Sequence, residues 1–115
     1  MAAILGPARV LFCIVPCRAL CLLIIDTHLA GAPGDVGYEV GKGYSINVPL
    51  KDGVNDEAFR MVFQRVTQEA FDRFQPAALV VQAGAASLGG DRIGTWNLTT
   101  KGHAESLLVS ACFRL

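Results

Sequence analysis

Residues 55–82 constrain the fold more than any other stretch. Phe59, Val62, Phe63, Val66, Ala70 and Phe74 recur at helical spacing, while Arg60, Gln64, Gln68 and Asp72 fall largely on the opposite side. Asn55 can cap this helix, and Asp56 and Glu57 stand in its first turn, where the helix dipole favours negative charge. Gln75-Pro76 stops it. The chain passes at once into Ala77–Gln82, an apolar run with one polar end, the pattern of a strand buried on both faces of a parallel sheet. A helix delivered straight into such a strand predicts a right-handed crossover and an α/β fold.

The flanking text agrees with that class. GAPGDVGYEVGKG is glycine-rich loop, Tyr44–Val48 is a short strand stopped by Pro49, and Lys51-Asp52-Gly53 is a turn. A second helix is expected from about Thr100, with Ala104, Leu107, Leu108 and Ala111 as its buried stripe. Two or three strands make a sheet too small to cover both helices, so the chain reads as a piece of a larger domain.

The first 25 residues stand apart. They are long and apolar enough to suggest a signal or anchor, but Arg18 lies inside the run, Pro7 and Pro16 divide it, and no basic cluster precedes it. The competing expectation is a shortened amino terminus whose last part, Leu20 to Ile25, is a buried strand. We therefore divide the chain into an apolar segment, 1–30, and an α/β part, 31–115. Cys13, Cys17 and Cys21 recur every four residues and would share a helix face but for Pro16. They form no CxxC pair and read as small apolar residues of a reducing compartment. Ten basic and ten acidic residues leave no charge excess to support direct nucleic-acid binding.

The stretch from Val80, VVQAGAASLGGDRIG, is a strand entering a loop, the usual place for chemistry in an α/β protein. Its Ala85-Ala86-Ser87-Leu88-Gly89 is a loose form of a nucleophile elbow, with Asp91 and His103 following in hydrolase order. The loop continues past Ser87 where an elbow would enter a helix, which argues against that reading. His103 is expected at the surface or as a capping residue. Asp26 and His28 form an Asp-x-His pair after an apolar run, which can supply two metal ligands but not a complete site. Gly31, Gly34 and Gly37 lack the helix that a phosphate loop needs, and Asp52 to Glu57 does not match a calcium loop.

Several stretches taken in order resemble class I histone deacetylases. GDVGYEVGKGYSINVPLKDGVNDEAF is followed by FQPAALVVQAGAASLGGDRIG and then by NLTTKGH, and the likeness runs from about Gly34 to Glu105. The resemblance implies a partial parallel-sheet, Rossmann-like, three-layer α/β fragment of the arginase/deacetylase fold. It implies hydrolysis of acetyl-lysine amides with zinc held by two aspartates and a histidine. It also implies histone tails and a corepressor complex as partners, and a nuclear or cytoplasmic location, with membrane attachment not favoured.

Residue by residue, the implication is uneven. The family's Gln-x-Gly-x-Asp-Ser-Leu motif stands here as Gln82-Ala83-Gly84-Ala85-Ala86-Ser87-Leu88, so the zinc-ligand position is Ala86. Arg92 matches the arginine that helps bind inositol phosphates, and Ile93 the apolar residue lining the acetyl-lysine tunnel. Tyr44 matches a residue whose backbone carbonyl coordinates potassium, and Asp91 a supporting loop aspartate. Ala30 falls where the tunnel has a phenylalanine. Asp26 and His28 could be a remnant of the Asp-x-His ligands, although they lie too close to Ala86 for the family spacing. The catalytic histidine pair is expected upstream, and the glycine-rich motif with the oxyanion tyrosine downstream, both outside this sequence.

Overall fold

The computed structural model describes residues 9–14, 20–26, 32–76, 79–92 and 94–112; at 9–14, 20–26, 40 and 110 the description is of backbone. Its elements are β1 (Arg9–Ile14), β2 (Leu20–Asp26), β3 (Ser45–Leu50), α1 (Asp56–Phe74), β4 (Leu79–Ala83) and α2 (Thr100–Cys112). The strands form one sheet in the order β3-β2-β1-β4. β2 runs parallel to β3, with Leu22 opposite Ile46 and Asp26 opposite Leu50. β1 is antiparallel to both its neighbours, pairing Cys13 with Cys21 of β2 and Leu11 with Gln82 of β4.

The sheet is therefore mixed: it has the expected parallel strands, with one reversed strand among them. β2, β3 and β4 run the same way, and β1 lies reversed between β2 and β4. The crossover through α1 joins strands at the two edges of the sheet rather than neighbours. The four-residue spacing of the cysteines, which Pro16 already breaks, marks no helix at Cys13 or Cys21. Cys13 and Cys21 belong to strands, and Cys17 lies outside the described residues. Short apolar runs on either side of a proline satisfy strand and helix patterns alike, and here the hydrogen bonding of a hairpin decided between them. Among the described residues, no helix is long and apolar enough to cross a membrane.

α1 begins as its sequence dictates. The Asn55 side chain accepts a hydrogen bond from Ala58 N at 3.0 Å, and the helix ends at Gln75 in the left-handed region, whose N–H donates to Phe71 O. Phe59, Phe63, Thr67, Ala70 and Phe71 are its buried residues. Phe59 and Phe63 join Trp96 and Leu98 in the core, against Ile46, Val48 and Leu50 of β3 and Leu79 and Val81 of β4. Thr67 is tolerated there because its hydroxyl donates to the Phe63 carbonyl at 2.6 Å.

Two packing expectations fail. β4 is covered on one face only: Leu79 and Val81 face the helices, while Val80 is 57% exposed and Gln82 is open to solvent. Both helices pack on the same side, so the described residues build two of the three expected layers. In α2 the buried positions are Gly102 and Ser106, with Val109 half-buried; Ala104, Leu107, Leu108 and Ala111 face outward. A clasp at the start of α2, described below, fixes the helix rotation and brings its small residues against α1.

Candidate functional site

β2, β3 and β4 end at one edge of the sheet, at Asp26, Leu50 and Ala83, and the loops there form the candidate site. After β4 the chain makes a 3-10 turn, Ala85–Ser87, and Leu88 then bridges to Leu98. Gly89 N donates to Leu98 O at 2.9 Å, and Leu98 N to Ser87 O at 3.2 Å. The returning strand is tied to the loop after β3: Asn97 N donates to Val54 O, and Gly53 N to Thr95 O, each at 2.8 Å. These backbone bonds make a closed frame around Ala86.

Ala86 is half-buried within this frame. A methyl has no lone pair, so this position offers a metal nothing. Its carbonyl oxygen packs directly on Gly94, where a Cβ would collide with it. Asp91 closes the loop, its carboxylate accepting from Gly94 N at 3.0 Å. Arg92 is exposed beside it. Tyr44 lies half-buried just before β3, its ring edge-on to Phe74 at 6.2 Å. The backbone of Asp26 ends β2 at the same edge, with β1 between it and β4. The Asp26 side chain, His28, Ala30 and Ile93 lie outside the described residues. Among the described residues, no three His, Cys, Asp or Glu side chains group to hold a metal.

Three contacts escaped the sequence reading. Ser87 Oγ lies 3.2 Å from His103 Nδ1 and 3.4 Å from the Gly84 carbonyl. His103 is thus half-buried and joins α2 to the loop after β4, where a surface or capping role was expected. The pair is no hydrolase centre: Ser87 is 2% exposed, and Asp91 turns its carboxylate to Gly94. Next, Asp56 reaches from the first turn of α1 to the start of α2. Its carboxylate accepts from the Thr99 hydroxyl at 2.6 Å and from Thr99 N at 2.8 Å. Those two bonds, with the nearby Lys101 charge, hold its carboxyl below the ordinary carboxylate value against a small desolvation effect. Thr99 in turn accepts from Gly102 N at 3.1 Å as the α2 cap, and a side chain at Gly102 would strike the Asp56 carboxylate. Finally, Asn47 on β3 donates to Ala32 O and Asp35 O at 3.1 and 3.0 Å, fastening the glycine-rich loop to the sheet edge. The signals were present in Asn-x-Pro-Leu and Asn-Leu-Thr, but no spacing rule links Asp56 to Thr99.

Comparison with known proteins gives this frame a family. A model of the histone deacetylase domain matches residues 25–111. Histone deacetylase 6 of Arabidopsis thaliana is 53% identical over 73 residues, covering 64% of this chain and 16% of its own length. Histone deacetylase 1 of Homo sapiens is 44% identical over 81 residues, covering 70% of this chain and 17% of its own. The matched region therefore spans about one-sixth of these curated relatives. A crystal structure of an HDAC homolog complexed with SAHA superposes with a TM-score of 0.71 over 77% of this chain and 26% of that one. At 23% identity it bears on the fold alone, and the fold it supports is an α/β fragment of the arginase/deacetylase type. With a family model matching most of its length, the chain belongs to the histone deacetylase family.

Proposed function

We propose that this chain is a divergent piece of a deacetylase domain, residues 31–115 behind an apolar segment 1–30, that keeps the frame of the metal loop without its metal chemistry. The observation that carries the reading is Ala86, a methyl in a loop otherwise built for a ligand. Family members use zinc to polarise the acetyl carbonyl and activate water. The described residues do not fit that ion, since the side chain at the ligand position after β4 carries no donor atom. Asp26 and His28 would supply at most two ligands, fewer than the three protein ligands typical of catalytic zinc. Chain residues hold what remains: Asp91 sets the loop, Ile93 would line the acetyl-lysine tunnel, and the Tyr44 carbonyl would face a structural potassium. The reading therefore gives a nuclear or cytoplasmic protein that does not hydrolyse acetyl-lysine by itself.

A second reading, a non-catalytic module of a histone-directed deacetylase and corepressor complex, is favoured by Arg92. It is exposed at the tip of a fixed loop and forms no ion pair with another described residue, so it is free for an inositol phosphate bridge. Zinc titration of the purified chain and of Ala86→Asp tests the main reading. Neither is expected to bind zinc tightly at the loop, because no cluster of ligands among the described residues stands ready to join the one the variant regains. Stoichiometric, micromolar binding that Ala86→Asp strengthens tenfold or more would show that the other ligands are already in place.

A further inference from the structure

The outer surface of the helix pair is more apolar than a solvated face requires. Met61 of α1 is 62% exposed and Leu108 of α2 is 65% exposed. Both line a groove of about 900 Å³ between the helices, walled by Arg60 and Arg65 on the α1 side and by Glu105 on the α2 side. None of these three charges is in an ion pair with another described residue. Leu108 also belongs to a wider exposed surface of α2. The apolar stripe of α2, which its spacing would send into a core, faces outward here, with Leu107 38% exposed beside Leu108. Contiguous exposed apolar surface with a polar rim marks a place where something docks.

We propose that this groove is a self-association surface and that its occupant is a second copy of the chain. The charge layout selects that occupant. One wall is basic and the other acidic, so a uniformly acidic partner helix would meet repulsion from Glu105, and a basic one from Arg60 and Arg65. A copy related by a two-fold axis satisfies both walls. Glu105 of each copy then faces Arg60 and Arg65 of the other, and Met61 and Leu108 are covered on both sides. The surface lies on the outer faces of α1 and α2 and does not depend on the reading of the metal loop.

Sedimentation of the 115-residue chain across a concentration series tests the proposal. The expected species is a dimer at about twice the 12.2 kDa of one chain, without larger assemblies. Leu108→Asp should weaken dimerisation at least tenfold with unchanged circular dichroism, since Leu108 is already exposed. Glu105→Arg should weaken it as well, and adding Arg65→Glu should restore it; only a contact between these walls predicts that restoration. A monomer at every concentration, open-ended assembly, or a dimer indifferent to both Leu108→Asp and the charge exchange would overturn the proposal. These masses are read without reference to activity, so failure here is distinct from failure of the deacetylase reading.

Discussion

Ala86 and Gly94 together set the shape of the loop after β4. The Ala86 carbonyl packs on Gly94, and Asp91 holds Gly94 N from the other side, so the turn depends on backbone and on a missing side chain rather than on a bound ion. Substitution at Gly94 should therefore cost more than substitution at Ala86. Gly94→Ala is expected to destabilise the chain by about 1–3 kcal/mol through overpacking. Chemical denaturation measures this, and an unchanged midpoint would mean that the loop is not held as described. At this scale the sequence was informative wherever a residue has one chemical meaning. Asn55, the cap of α1, is one such residue. The Ser87–His103 contact was not readable, because a hydrogen bond between two loosely spaced polar residues leaves no periodic trace.

At the scale of elements, α1 was readable at both ends, since Asn55, Asp56, Glu57 and the Gln75-Pro76 break act through local backbone geometry. α2 was readable in extent but not in rotation. Its weak amphipathicity offers Leu107 and Leu108 as core residues, yet the Asp56–Thr99 clasp turns Gly102 and Ser106 inward. The clasp carries a pH signature. Its carboxyl lies below its unfolded value near 3.9, so its stabilisation is complete above that pH and is lost as pH falls through the lower folded value. Asp56→Asn should cost about 1 kcal/mol at neutral pH, at the modest end for a hydrogen-bonded charge because the group is partly exposed. Wild type and variant should converge in acid. Equal stability at pH 7, or a gap that does not narrow as pH is lowered below the ordinary carboxylate value, would remove Asp56 from this role.

At the scale of the molecule, the α/β class followed from one helix running into one apolar strand, and the family resemblance from motifs kept in order. The arrangement of the sheet was not readable. β1 enters antiparallel between β2 and β4, a non-local choice made by pairing partners that no window of sequence contains. The open face of β4, with Val80 exposed, agrees with a chain that spans a fraction of its relatives. What the structure shows at this scale is three strand ends on one side of the sheet and a loop after β4 closed by Asp91, with Arg92 exposed beside it. The direct measurement is hydrolysis of an acetyl-lysine peptide by the purified 115-residue chain supplied with zinc, with and without chelator. The account predicts no release above the uncatalysed background in either case, whereas turnover that chelation abolishes would contradict it.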